Sequence, residues 1–179
     1  MPVVPDDGAA LVDFLAASPW PFHVRQDHTV LSARAIVDSG RFRSKDSQGY
    51  WIENDAGRHG VAVLEDLQDD TVMIDLRLAG PSRGRGLGTA TLTALAHLAF
   101  TTLLGARRLE GQTREDNVLM RRAFLSAGFV QEAFFRQGWP AADDTFVGSV
   151  AYAMLRDDWR TGTTTPISWE APLRGSHAG

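Results

Sequence analysis

The segment Arg83-Gly84-Arg85-Gly86-Leu87-Gly88-Thr89 sits between an apolar run ending at Leu78 and a long stretch with helical periodicity. That placement constrains the fold more than any other part of the chain. A strand must feed a helix there, through a turn whose backbone suits glycine. Glycines also let N–H groups approach a ligand, because no Cβ stands in the way. A helix starting just beyond adds unpaired donors and the positive end of its dipole. Together these features make an anion site of the kind used for phosphates. Two better-known glycine loops do not fit. A P-loop closes with Gly-Lys-Ser/Thr, whereas Gly88 is followed by Thr89 and Ala90. The dinucleotide fingerprint G-x-G-x-x-G lacks its third glycine at positions 89 to 91. The pattern present is R-x-x-G-x-G, with Arg83, Gly86 and Gly88.

The chain changes character on either side of this loop. Before it, Asp6 or Asp7 caps a predicted short helix with Leu11, Phe14 and Leu15, ended by Ser18-Pro19. Trp20 to Arg25 reads as an extended entry or short strand, and 29–42 as a helix. Residues 49–53, 61–65 and 72–78 are predicted strands, with a turn over 54–60. Beyond the loop the apolar period becomes helical over 89–104, with Leu92, Ala96, Ala99 and Leu103 aligned. A strand at 107–111 and a second helix at 117–127 follow, and Gly128-Phe129 supplies a left-handed cap with its apolar contact. Two late strands, 129–136 and 146–155, flank a loop carrying Asp143 and Asp144. Antiparallel strands, then a β-α-β-α stretch, then a closing hairpin predict a mixed α+β sheet.

Composition narrows the class. A chain of 179 residues predicts one domain, with its core over about 20–159 and a polar tail over 160–179. It contains no cysteine, which excludes disulfides, thiolate metal sites and a cysteine nucleophile. A net charge of −4 argues against a nucleic-acid surface. No apolar run reaches the ~18 residues that span a bilayer, and the start lacks the basic flank of a signal peptide. These features predict a cytoplasmic protein with neither nucleic acid nor membrane as partner. His23, His28 and His59 lack ligand spacing, so no metal is predicted.

A second segment joins the loop. Thr113-Arg114-Glu115-Asp116-Asn117 opens a helix that ends at Ala127-Gly128-Phe129. With Arg83, Gly86 and Gly88 ahead of it at a matching distance, this resembles the GNAT superfamily of N-acetyltransferases. The likeness covers about 20–159, and the closing strand 149–159 resembles the branch of ribosomal-protein N-terminal acetyltransferases, the RimJ/RimL type. The resemblance implies a GNAT fold: a central, mostly antiparallel twisted sheet of six to seven strands, helices on both faces, and splayed central strands holding acetyl-CoA. It implies that Arg83, Gly84, Arg85, Gly86, Leu87, Gly88 and Thr89 bind the pyrophosphate. Asn117 would hold the pantetheine arm, Phe124 would pack beside the cofactor, and strand N–H groups near Leu76 and Leu78 would polarise the thioester. The partner would be an amine acceptor, a protein N-terminus or a small molecule. A homodimer is compatible with this reading.

Many such enzymes carry a tyrosine seven residues after the Asn, where this chain has Phe124. That departure keeps open an alternative, a module of the same fold that binds acyl-CoA as a sensor or partner with little turnover. For the proton of the amine, Asp75 and Glu110 are the candidates, as base or as cation anchor, since they lie on the strands that should flank the thioester. Each could equally pair with Arg77, Arg107 or Arg108. His23, beside Trp20 and Phe22, stands next in line, although packing accounts for it as well.

Overall fold

A computed structural model describes residues 1–141 and 144–167. After a short 3-10 turn at Pro5–Asp7, helices α1 (Gly8–Ala16) and α2 (Val30–Asp38) precede strands β1 (Ser47–Asn54), β2 (Gly57–Glu65) and β3 (Thr71–Leu78). The glycine loop then leads into α3 (Leu87–Thr102), followed by β4 (Arg108–Arg114), α4 (Val118–Ser126), β5 (Val130–Pro140), β6 (Phe146–Leu155) and α5 (Arg156–Thr161). The six strands form one sheet in the order β1-β2-β3-β4-β6-β5. Every pairing is antiparallel except β3 with β4. The mixed α+β sheet with helices on both faces is therefore present.

Alternation along the strands sorts side chains to two cores. Ala62, Leu64, Val72, Ile74 and Leu109 meet Leu92, Leu95, Ala96 and Phe124 of α3 and α4 on one face. Val61 and Val63 meet Leu11, Val12, Leu15 and Ala33 of α1 and α2 on the other. The period-two rule makes this sorting obligatory once the register is set. Asp75 lies opposite Val63 and Arg77 opposite Val61, so both belong to the α1–α2 face. Leu76 lies opposite Ala62 and belongs to the other.

The parallel pair is short. β3 and β4 pair only at Thr71–Arg108, Val72–Leu109 and Met73–Glu110. Beyond Met73 the strands part, and each keeps its outer partner: β2 holds β3 as far as Leu78, and β6 holds β4 as far as Arg114. The inner edges facing the gap therefore carry backbone groups with no strand partner. This splay positions the site.

Several local expectations change. Trp20 to Arg25 forms turns and bends rather than a strand, because Trp20 is buried and its indole N–H donates to Leu15 O at 2.9 Å. Asp7 precedes α1 without capping it. Its carboxylate accepts from Val4 N at 3.0 Å and pairs with Arg58 instead. The 54–60 turn shrinks, since β2 already starts at Gly57. Helix α5 has no counterpart among the predicted elements; its Trp159 packs on Phe100 with ring centroids 5.5 Å apart. Asp143 lies outside the described residues.

Candidate active site

The glycine loop has the conformation its sequence demands. Gly84 and Gly86 have φ of +69° and +80°, and a Cβ built on either would meet nothing within 4 Å. Both glycines are thus required by backbone angle, and both leave open space above the chain. Gly86 is the N-cap of α3, a helix of 16 residues, and has no side chain to accept from the first turn. The N–H groups of Leu87, Gly88 and Thr89 therefore lack an intrahelical partner. That is an anion cradle at a helix start.

The loop opens on a cavity of about 260 Å³ walled by the end of β3, the start of α3, α4 with its Asn117 cap, and the segment 20–23. Leu76, Leu78, Arg83, Gly84, Gly86, Gly88, Thr89 and Asn117 of the predicted set all line it. Asn117 also caps α4: its Oδ1 accepts from Met120 N at 3.3 Å, and its Nδ2 donates to Thr113 Oγ1 at 3.0 Å. Capping and a place in the cleft wall are both true of this residue. Arg85 and Leu87 flank the cradle without lining the cavity. The Arg85 side chain makes no hydrogen bond or ion pair among the described residues.

Three predicted residues are placed differently. Arg83 does not point its charge at the cradle. Its Nε donates to Leu78 O at 2.8 Å, its Nη2 donates to Pro19 O at 2.9 Å, and its guanidinium lies 5.6 Å from the Trp20 ring centroid. Phe124 is not in the cavity wall but 1% exposed in the core, stacked on Tyr152. A Cβ on Gly111 would come within 2.5 Å of the Phe124 ring, so the glycine of β4 exists to admit that ring. Glu110 sits where the strands part but faces away from the cavity. Its Oε2 accepts from Arg108 Nη2 at 2.9 Å, and Arg108 also pairs with Glu132.

Asp75 sits in a cationic nest. Oδ1 lies 3.1 Å from His23 Nε2, and Oδ2 accepts from Arg41 Nη2 at 3.0 Å and Arg77 Nε at 3.2 Å. Burial alone pushes this carboxyl up, but the His23 hydrogen bond and the charges of Arg77 and Arg41 hold it well below the usual carboxylate range. Both oxygens are occupied, and such a carboxylate is a poor proton acceptor near neutral pH. Its reading as the base gives way for that reason.

The segment 19–23 is what the sequence reading undervalued. Trp20, Pro21, Phe22 and His23 line the cavity opposite the glycine loop and α4. Arg114 Nη1, from the end of β4, donates to Pro21 O at 3.1 Å, while Arg83 reaches Pro19 from the β3 side. One arginine just beyond β3 and one at the end of β4 thus fasten one segment across the gap. Nothing periodic marks the segment; the Trp-Pro-Phe-His cluster was the available signal. Arg122 and Ser126, one turn apart on α4, also line the cavity. Ser126 is a candidate from the sequence for the hydroxyl that protonates the thiolate, whereas Arg122 carries no signal beyond helical spacing.

A splayed parallel pair, a left-handed glycine loop, a bare helix start and an Asn-capped helix are thus brought together at one end of the sheet. The chain belongs to the GNAT acetyltransferases: the family described as "Acetyltransferase (GNAT) domain" matches residues 2–130. It is therefore an enzyme that transfers an acetyl group from acetyl-CoA to an amine. Its fold is similar to the crystal structure of spermidine N-acetyltransferase from Vibrio cholerae in complex with CoA and spermine, at 11% identity and TM-score 0.74, covering 89% of this chain and 96% of that one. It is also similar to an acetyltransferase (GNAT family) from Bacillus anthracis, at 15% identity and TM-score 0.70, covering 85% and 90%. No curated protein matches the chain in sequence. No helix among the described residues is long and apolar enough to cross a membrane.

Proposed function

We propose that acetyl-CoA lies in the cleft between β3 and β4, with its pyrophosphate on the N–H groups of Gly84 to Thr89. The carrying observation is the coincidence of that bare N–H cradle with the end of a cavity lined by Leu76, Leu78 and Asn117. Arg85 and Arg122 supply charge to the phosphates, since Arg83 is engaged elsewhere. The unpaired edge of β3 near Leu76 and Leu78 offers an N–H to the thioester oxygen, as an oxyanion site does. Asn117 borders the pantetheine arm. The amine enters from the α1–α2 face, where Asp75 and His23 stand, and attacks directly. A chain without cysteine offers no thiol to carry the acetyl group.

The acceptor is a primary amine, and the closing strand favours a protein N-terminus of the RimJ/RimL kind. The V. cholerae neighbour, named for spermidine, makes polyamines the natural second class to assay. Phe124 was the one feature that spoke for a non-catalytic sensor, and its burial in the core removes that argument. Release of free CoA thiol across short peptides, spermidine, aminoglycosides and amino acids tests the reading. Turnover with peptides bearing a free N-terminus, and its loss on N-terminal blocking, is the expected result. Turnover confined to small amines would overturn the branch assignment. Absence of turnover with every class would overturn the enzyme site as drawn.

A further inference from the structure

We infer that His23 is the residue that takes the proton from the acceptor amine, with Asp75 holding its ring in the required tautomer. This rests on the placement of acetyl-CoA proposed above. His23 lines the cavity, its side chain is 22% exposed, and its Nε2 lies 3.1 Å from Asp75 Oδ1. An ionised carboxylate can only accept, so Nε2 carries the hydrogen and Nδ1 carries the lone pair. Nδ1 has no hydrogen-bond partner among the described residues. The ring is fixed from behind. Its backbone N–H donates to Trp20 O at 2.9 Å, and the Trp20 ring meets it edge-on at 6.2 Å. The arginines that fasten Pro19 and Pro21 hold the whole segment at the gap.

Arg41 and Arg77 explain why Asp75 serves as the positioning residue and not as the base. They keep the carboxylate ionised, so it cannot draw the proton away from Nε2. The other charged or titratable groups near His23 include Arg25, Asp27 and His28 on its own segment, and Arg83 and Arg114 at the two rims. Burial, followed by the charge of Arg77, pushes His28 down towards its neutral form. Among the described residues, Asp75 alone hydrogen-bonds the His23 ring.

The step balances without a further reactant. One proton passes from the acceptor ammonium to His23 Nδ1, which frees the nitrogen lone pair. That nitrogen bonds the acetyl carbon as the C–S bond breaks. Its second proton ends on the departing sulfur, and His23 returns the first to solvent. The products are the amide and CoA thiol, with no change of oxidation state.

The test pairs His23→Gln with two nucleophiles at saturating acetyl-CoA. One is the best basic amine of the CoA-release panel. The other is hydroxylamine, which is largely neutral at pH 7 and needs no base to free its lone pair. His23→Gln should lose about 10²–10⁴-fold in kcat with the basic amine, the range for a lost general base. It should lose less than tenfold with hydroxylamine, bind acetyl-CoA as tightly in calorimetry, and lack the acidic limb of the pH–rate profile. Imidazole in solution should restore part of the activity of His23→Ala. Asp75→Asn should lower kcat with KM little changed and move the acidic limb to lower pH. Retention of kcat and of the acidic limb in a folded His23→Gln would overturn the inference. Equal losses with both nucleophiles would also overturn it, leaving His23 a packing residue. No turnover by the unaltered protein would instead sink the placement on which it rests.

Discussion

Arg83 bridges the end of β3 to the segment that crosses the cleft, donating to Leu78 O at 2.8 Å and to Pro19 O at 2.9 Å. A residue that motif spacing assigns to phosphate is thus a brace. Arg83→Met keeps a chain against Trp20 and removes both donors. Unfolding in urea should show a loss of about 1.5–3 kcal/mol, the scale of a charged hydrogen bond left unmade. Acetyl-CoA affinity should fall only modestly. A large affinity loss at unchanged stability would put the guanidinium on the phosphates after all.

Phe124 lies parallel to Tyr152, with centroids 5.0 Å apart and planes 4° apart, and fills the space over Gly111. It is a core residue. Phe124→Ala should cost about 3–5 kcal/mol of stability, as large-to-small core changes do. Phe124→Leu should keep kcat within a few-fold. Phe124→Tyr should bring no gain in rate, because its hydroxyl would be buried. A hundredfold fall in kcat for a folded Phe124→Leu would return this position to the chemistry.

The depressed pKa of Asp75 fixes the sign of one pH effect. Its stabilising contribution is fully present above the ordinary Asp value of about 3.9 and is lost as pH falls below it, towards its folded value. Stability measured in urea should therefore decline with acid below about pH 4. Asp75→Asn should be less stable at pH 7, where Arg77 loses its anion and Arg41 keeps only Glu65, and should show a shallower acid decline. A parallel acid decline in the variant would assign the effect to other carboxylates.

The strand-to-helix turn at 83–89, the α3 and α4 periodicities and the Gly128 cap were legible because they are local. A left-handed glycine or a Schellman-type ending is dictated by a few adjacent residues. What the sequence could not reveal depends on contacts between distant residues. The pairing of His23 with Asp75 spans 52 positions and the bond from Arg114 to Pro21 spans 93. No periodicity carries that information. Asp75 lies on β3, as expected from the sequence. Arg77 is a candidate partner by proximity alone, but His23 and Arg41, from separate elements, and hence the altered acidity of Asp75, required the fold. For Glu110 the same holds: Arg108, two residues earlier, bonds its carboxylate and also pairs with Glu132, and that three-residue cluster required the fold.

If the backbone of Gly84 to Thr89 receives the phosphates of acetyl-CoA, as proposed, titration calorimetry on Gly88→Asp will show it. Gly88 needs no left-handed conformation, and a Cβ there would meet only the Ala123 methyl at 3.4 Å. An aspartate in the first turn of α3 also suits the helix dipole, so the fold should survive. The new carboxylate would stand where the phosphates bind. Acetyl-CoA affinity should fall about 10–100-fold or more, the equivalent of a charged hydrogen bond or two, with unchanged circular dichroism and melting. Wild-type affinity in the folded variant would contradict it.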